Sequence, residues 1–386
     1  MSGDTAINWA TKVWNPLTGC TRVSSGCDAC YAFALHDKRH LANVKWAKTF
    51  SGVHEGVERR LGQQESWMTW AGRVGPPPEG WAVRARALGM RLPLPKQYDL
   101  PFSRVQLLPD RLHDPLGWRK PQRIFVDSMG DLFHPEVRDN YIDRVFAVMA
   151  LSPQHTFQVL TKRAERMRQY LTATDREPVS GAPTRNQVAM AALGMCLDDL
   201  AVHSKSTLGD GLVIARHVGL QDWPLPNVWL GVSAEDQERA DERIPDLLAT
   251  PAAVRFLSCE PLLGPLDLAA YDASTNSSGL WGGVQGDLQN RQGRALGRGD
   301  MIIVGGESGS GARAFDLAWA RSLRDQCAAA GVAFFMKQLG ENAFDSTPGT
   351  TFSLSAYRKR TSRHGADPEE WPADLRVREW PGVNRG

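Results

Sequence analysis

The sequence predicts an α/β protein built on a parallel sheet covered by helices. Three observations lead there. Short apolar runs rich in Val, Ile, Phe and Leu recur from residue 123 onward, each is followed by a polar or glycine turn, and stretches with helical spacing lie between them. Strands that are apolar on both faces and alternate with helices belong to a parallel sheet buried on both sides.

The expected strands are Ile124–Ser128 (IFVDS), Phe157–Lys162 (FQVLTK), Val228–Ser233 (VWLGVS), Arg255–Cys259 (RFLSC), Met301–Val304 (MIIV) and Ala333–Lys337 (AFFMK), preceded by a first strand around Asn8–Trp14. The expected helices are Asp139–Leu151, Glu235–Leu248 and Asp316–Ala330, the last capped by Asp316 and stopped by Gly331, with a further helix from Tyr31. Residues 41–118, 172–224 and 268–300 break this rhythm and read as insertions. The first carries Trp46, Trp67, Trp70 and Trp81 among prolines, and the third is a Gly-, Asn- and Ser-rich loop. Residues 1–340 then form one domain, with 341–386 as a C-terminal extension. What remains suffices for six or seven β/α units, and an open doubly wound sheet and a barrel both fit the rhythm.

Composition bounds the function. With 386 residues, 42% hydrophobic and 23% charged, the chain can bury a real core, which excludes disorder, collagen and coiled coil. No apolar run reaches the roughly 18 residues of a membrane span, and MSGDTAINWATK lacks the features of a secretion signal, so no membrane is expected and the chain reads as cytoplasmic. A net charge of +2 is too small to argue for nucleic-acid binding by bulk electrostatics. Arg84, Arg86, Arg91 and Lys96 amid aromatic residues offer a local stacking surface for a nucleic-acid strand, with core packing as the plainer reading.

Three of the six cysteines, Cys20, Cys27 and Cys30, fall within eleven residues as Gly19-Cys20-x6-Cys27-x2-Cys30-Tyr31. Cys27 and Cys30 are close enough to share one metal or one cluster face, and six intervening residues let Cys20 fold back to join them. A structural zinc site would take a fourth ligand from His36 or His40. A disulfide does not suit a reducing compartment or an odd number of thiols. An iron–sulfur cluster with three protein ligands leaves one iron open. Spacing alone leaves zinc and the cluster level.

Longer motifs separate them. Asn8-Trp9, Trp14-Asn15-Pro16-x-Thr18-Gly19-Cys20 and Gly26-Cys27-Asp28-x-Cys30-Tyr31-Ala32 resemble the opening of an uncharacterised phage and bacterial protein family. The resemblance continues through Phe125–His134 (FVDSMGDLFH), Phe157–Arg163, Asn227–Ser233, Phe256–Leu263 (FLSCEPLL), Gly305-Gly306-Glu307-Ser308-Gly309 and Phe335–Gln338. That family looks like a divergent branch of the radical SAM superfamily, whose β/α barrel carries a three-cysteine loop after its first strand. The resemblance implies a partial β/α barrel of six to seven parallel strands, a 4Fe–4S cluster on Cys20, Cys27 and Cys30, and S-adenosylmethionine at the open iron. It departs from the superfamily in the x6 gap, in an aromatic that follows the last cysteine, and in Met129-Gly130-Asp131 standing where a glycine-glycine-glutamate segment is usual. Gly305-Gly306-Glu307 occurs after a much later strand, so that segment's role does not transfer to it.

Barrel ligands gather at the carboxyl ends of strands. The cofactor-binding candidates are therefore Asp127, Ser128, Asp131, Ser233, Glu235, Gly305, Gly306 and Glu307, and the catalytic candidates are Lys162, Glu260 and Lys337, with Arg163 a further anion contact. Period-two geometry turns Glu260, Ser258 and Phe256 inward and Cys259 toward the helices, and it sets Lys162 on the face of Gln158, suggesting an interior lined for hydrogen bonding. Cys327 reads as a packing residue, Cys196 has no evident partner, and the histidines, His134 included, read as structural or surface groups.

The expected function is a radical SAM enzyme acting in nucleic-acid modification or repair, with spore photoproduct lyase as the superfamily's precedent for a DNA substrate. It implies an external electron donor, a nucleic-acid substrate and a separately encoded partner protein. The alternative is a zinc-stabilised, non-catalytic nucleic-acid-binding or interaction protein, and a third is the same barrel without cluster chemistry.

Overall fold

The structure, a computed structural model, describes residues 3–5, 7–49, 92, 94–174, 188, 191–192, 194–195, 223–268, 296, 299–309, 311–350 and 362–382. In chain order the elements are β1 (Gly3–Asp4), β2 (Lys12–Trp14), β3 (Leu17–Thr18), α1 (Tyr31–Thr49), β4 (Gln106–Leu107), β5 (Arg123–Val126), α2 (Asp139–Ala150), β6 (Thr156–Thr161) and α3 (Ala164–Thr172). They continue with β7 (Val228–Ser233), α4 (Gln237–Ala249), β8 (Val254–Cys259), β9 (Met301–Gly305), β10 (Phe315–Asp316), α5 (Leu317–Ala330), β11 (Ala333–Gln338) and β12 (Ala343–Phe344).

One sheet organises them, in the order β1-β2-β5-β6-β7-β8-β9-β11. Only β1 is antiparallel; the other seven strands are parallel and sit in chain order. A doubly wound sheet would reverse its strand order partway across. This one never does, and it curls into a half-barrel. The count of seven meets the upper end of the sequence expectation; the six strands expected from residue 124 onward are found within two residues, and the first, expected over Asn8–Trp14, is confined to Lys12–Trp14.

Alternation along the strands separates two cores. Ile124, Val126, Phe157, Val159, Leu230, Val232, Leu257, Cys259, Ile302, Val304, Phe334 and Met336 face the helices. Trp9, Phe125, Phe256, Met301, Ile303 and Phe335 fill the concave side, joined by Leu160, Trp229 and Trp380. Phe256 crosses that space only because position 231 is glycine: a Cβ there would lie 2.6 Å from the Phe256 ring. Gln158 shares this face but is sealed beneath Leu160, with neither amide atom hydrogen-bonded. At that depth the interior is apolar rather than lined for hydrogen bonding.

Helix ends follow local chemistry. Asp316 Oδ1 accepts from Ala318 N at 3.0 Å and caps α5, while Gly331, at φ 70°, stops it. Helix α4 starts at Gln237, two residues later than its apolar spacing suggests, because Asp236 caps it by accepting from Arg239 N and Glu235 is used elsewhere. Buried Arg255 donates to the carbonyls of Leu247, Leu248 and Thr250, satisfying the end of α4.

The edges are closed by the chain's two ends. Asn8 Nδ2 donates to Lys337 O (3.2 Å), reaching from before β2 to the last strand. Residues 376–380, expected as part of an extension, lie along β11: Met336 N donates to Val377 O, and Glu379 N to Phe334 O, both at 2.9 Å. This covers backbone groups that an exposed edge would present. Trp380 then packs against Phe335 and Trp229 at ring separations of 5.3 and 6.4 Å, with the Arg123 guanidinium 4.1 Å from its ring. Trp380→Ala should destabilise the protein by roughly 2–3 kcal/mol, below the range for a fully buried tryptophan because Trp380 is half-buried. Urea unfolding checks this, and an unchanged midpoint would show that the tail adds nothing.

Candidate functional site

At the carboxyl ends of the parallel strands lies a cavity of about 260 Å³. Cys20, Cys27 and Cys30 line it together with Asp127, Ser128, Asp131, Lys162, Ser233, Glu260, Gly306, Glu307 and Lys337. Residues spread over more than three hundred positions thus meet in one space, as strand-end chemistry in a barrel requires. Two candidates stand behind the wall. Glu235 is fully buried and Gly305 serves packing, since a Cβ there would sit 2.8 Å from Glu260 Oε1.

The cysteine loop has little regular structure, so hydrogen bonds from neighbouring segments set its path. Asn15 Oδ1 accepts from Met129 N and Ser128 Oγ, and Gly19 N donates to Met129 O, joining the turns after β2 and β5. Cys20 N donates to Phe102 O, and Gly19 approaches Arg104 so closely that a Cβ would lie 2.2 Å from its carbonyl oxygen. With φ at 99°, only glycine fits position 19. A short 3-10 turn, Ser25–Cys27, then brings Cys27 and Cys30 to the start of α1.

Three charged groups clamp this loop. Arg163 Nη1 donates to Asp131 Oδ2 (2.7 Å) and to Cys20 Sγ (3.5 Å), and its Nη2 donates to Thr21 O and Oγ1, both at 3.0 Å. Asp131 is itself fixed by Thr161 Oγ1 and Phe133 N. Glu235 Oε1 accepts from Gly26 N (3.2 Å) while its Oε2 meets Arg243 at 3.0 Å and Lys162 at 3.4 Å. Arg313, paired with Glu307, donates from Nη1 to Ser25 O (2.9 Å). Across the cavity Lys337 Nζ lies 3.0 Å from Glu260 Oε1, and Ser258 Oγ donates to Glu260 Oε2 at 3.5 Å.

The environment separates these acids. Burial pushes the Glu235 carboxyl up, but Lys162 and Arg243 outweigh it and hold its pKa down to about 2. Asp127 has no such counter-charge. Burial raises its pKa well above the ordinary carboxyl range, the Leu17 N–H offsets only part of this, and Asp131 adds to it. Asp127 is thus held toward its neutral form, at φ 58°. Burial also pushes the Cys20 thiol up to about 11, with Asp131 raising it further and Arg163 opposing.

Among the described residues no group of three or more His, Cys, Asp and Glu side chains stands together as a metal site. The Cys20 thiol donates to Thr21 O, and Cys27 Sγ lies 3.9 Å from Ser24 Oγ. His36 and His40, the candidate fourth zinc ligands, face away: His36 Nε2 bonds Leu100 O and His40 Nδ1 bonds Tyr98 O. His134 is a support, its Nε2 meeting Thr21 Oγ1 at 2.9 Å. Cys259, as its strand parity indicates, and Cys327, on the packed face of α5, are buried in the helix-side core. Cys196, Trp67, Trp70, Trp81, Arg84, Arg86 and Arg91 lie outside the described residues. No membrane-crossing helix is found among the described residues.

Sequence reasoning assigned Arg163 to anion contacts and passed over Asn15 and Arg313. Arg163 directly follows a strand-end lysine, which is a usable signal. Arg313 acts through a glycine-rich loop and carries none.

Fold and site together define a cysteine-bearing half-barrel with a cavity at its carboxyl face into which charged side chains and three thiols project. The chain belongs to the family described as "Protein of unknown function (DUF5131)", whose family model matches residues 4–76 and 78–372. No curated protein and no solved structure matches it.

Because folded Asp127 keeps a proton that the unfolded chain releases above about pH 4, stability falls as pH rises from there toward its folded pKa. Asp127→Asn should remove that decline, so the variant gains on the wild type at pH 8 relative to pH 5. Urea unfolding at both pH values tests it, and an unchanged pH dependence would mean that Asp127 is ionised.

Proposed function

We propose that the protein is a radical SAM enzyme that holds a 4Fe–4S cluster on Cys20, Cys27 and Cys30 and binds S-adenosylmethionine in the adjoining cavity. The observation that carries this reading is the convergence of three free thiols and the polar ends of consecutive parallel strands on one space. The donor set suits the group: three thiols on one short loop, with both nearby histidines bonded to carbonyls instead.

When bound, the cluster and cofactor would supply one-electron cleavage chemistry that yields a 5′-deoxyadenosyl radical for hydrogen abstraction from substrate. This chain's residues bind, orient and exclude water. Glu260, backed by Lys337 and Ser258, is a carboxylate on the cavity wall, and it suits the cofactor's ammonium or ribose hydroxyls. Glu235 is committed to Gly26, Lys162 and Arg243, so it positions the loop rather than the cofactor. Lys162, at the cavity wall and 3.4 Å from Glu235, would exchange that partner for a carboxylate or phosphate of a ligand. Asp127, held toward its neutral form, would offer a hydrogen bond to a ligand with little added charge. The electron comes from an external donor. A nucleic acid or nucleotide is the proposed substrate, on the strength of the family resemblance.

Anaerobically purified and reconstituted protein should contain iron and acid-labile sulfide near four of each per chain, the composition of one such cluster, and should release 5′-deoxyadenosine under reduction. Cys20→Ala, Cys27→Ala and Cys30→Ala should each stay folded by circular dichroism and lose that product at least about 100-fold. One zinc per chain without sulfide, or unfolding of all three variants, would support the zinc-stabilised module instead. Glu260→Gln should keep the cluster and cut cofactor cleavage about tenfold or more, a loss on the order of 1.4 kcal/mol of transition-state stabilisation. Wild-type cleavage would remove Glu260 from the cofactor site.

A further inference from the structure

We propose that Arg163 is a positioning residue that sets the reduction potential of the cluster through Cys20, an inference resting on the reading above. Arg163 is the described charged side chain with a hydrogen bond to one of the three loop sulfurs, at 3.5 Å. It is half-buried and held in a fixed direction. Asp131 accepts from the same nitrogen at 2.7 Å, and Thr21 takes the other nitrogen at its carbonyl and its hydroxyl. Asp131 is in turn immobilised by Thr161 Oγ1 at 2.8 Å and Phe133 N at 3.0 Å. The guanidinium is thereby held beside Cys20 by partners other than the sulfur itself.

The consequence is electrostatic. Cysteine sulfur takes up negative charge when it binds iron, and more when the cluster gains an electron. A cationic donor at that sulfur stabilises the reduced state more than the oxidised one, and hydrogen bonds to the sulfurs are a main control on cluster potential. Burial strengthens the effect because water screens the contact poorly. Asp131 tempers it by returning a negative charge at short range, so the pair delivers an oriented donor with reduced net charge. Lys162, by contrast, points its ammonium to Glu235 on the other side of the loop.

The test is an EPR-monitored redox titration of anaerobically reconstituted wild type, Arg163→Gln, Arg163→Lys and Thr21→Val. Arg163→Gln should lower the midpoint potential by about a tenfold change in the reduction equilibrium, about 59 mV for one electron. Arg163→Lys, which keeps the charge but cannot reach Asp131 and Cys20 together, should shift about threefold in the same direction. Thr21→Val, which removes one loop contact and leaves the cationic donor, should keep the wild-type potential. Iron-loaded Arg163 variants with unshifted potentials would overturn the assignment while leaving the cluster reading intact. If Arg163→Gln takes up no iron, Arg163→Lys decides alone, and a wild-type potential there overturns it. An equal shift in Thr21→Val would assign the effect to loop position instead. Wild-type protein without iron would overturn both readings.

Discussion

The site depends on charged groups that pin a loop with no sheet or helix of its own to hold it. Glu235 is the clearest case, a fully buried carboxylate shared among the Gly26 amide, Lys162 and Arg243. Such a group is tolerated in the interior only when its counter-charges and hydrogen bonds are all present, because the desolvation cost of an uncompensated buried charge runs to several kcal/mol. The same rule covers Asp131 with Arg163 and Glu307 with Arg313. Each pair joins a strand end to a different part of the loop, at Cys20–Thr21, at Gly26 and at Ser25. The barrel thereby dictates where the thiols lie.

That arrangement works because the sheet is a half-barrel with its strands in chain order. Consecutive parallel strands bring seven carboxyl ends around one opening, and the curl turns them inward. Below the opening the concave side is closed by bulk: Trp9 and Phe125 pack at 4.6 Å, Phe256 fills the place left by Gly231, and Trp380 comes in from the tail. An apolar floor with a polar rim concentrates the chemistry at one level. It also explains why Gln158, on the same face as Lys162, lines nothing.

Much of this was legible in the sequence, for physical reasons that differ by residue. Strands β5 to β9 and β11 announced themselves because both faces are buried, and α5 did so through its Asp316 cap and Gly331 stop. Parity placed Cys259 among the helices and Glu260 in the cavity, since a strand offers only two faces. Glu235 was harder. Its position at a strand end marks it as functional in either role, and only the three-dimensional meeting with Arg243 and Gly26 shows that it holds the loop. Helix α3 was readable from Met167, Tyr170 and Leu171, yet its nine residues are short for a periodic signal. The tail's role was hidden because pairing along β11 is non-local, and nothing within residues 376–380 names its partner.

The balance of charge at the cavity bears on what can bind there. Glu260 faces Lys337 and Asp131 faces Arg163, so the charges at these two places on the cavity wall are paired, while buried Glu235 takes both Lys162 and Arg243. A ligand with a single net charge would leave one partner of a pair uncompensated. A ligand carrying both an ammonium and a carboxylate can instead exchange with a pair such as Glu260 and Lys337, meeting each charge with its opposite and keeping the cavity balanced. The near-zero net charge of the whole chain says nothing about this. The Glu260–Lys337 pair is thus the feature that the proposed S-adenosylmethionine site would use, an amino-acid end meeting both charges where a simple anion or cation meets one.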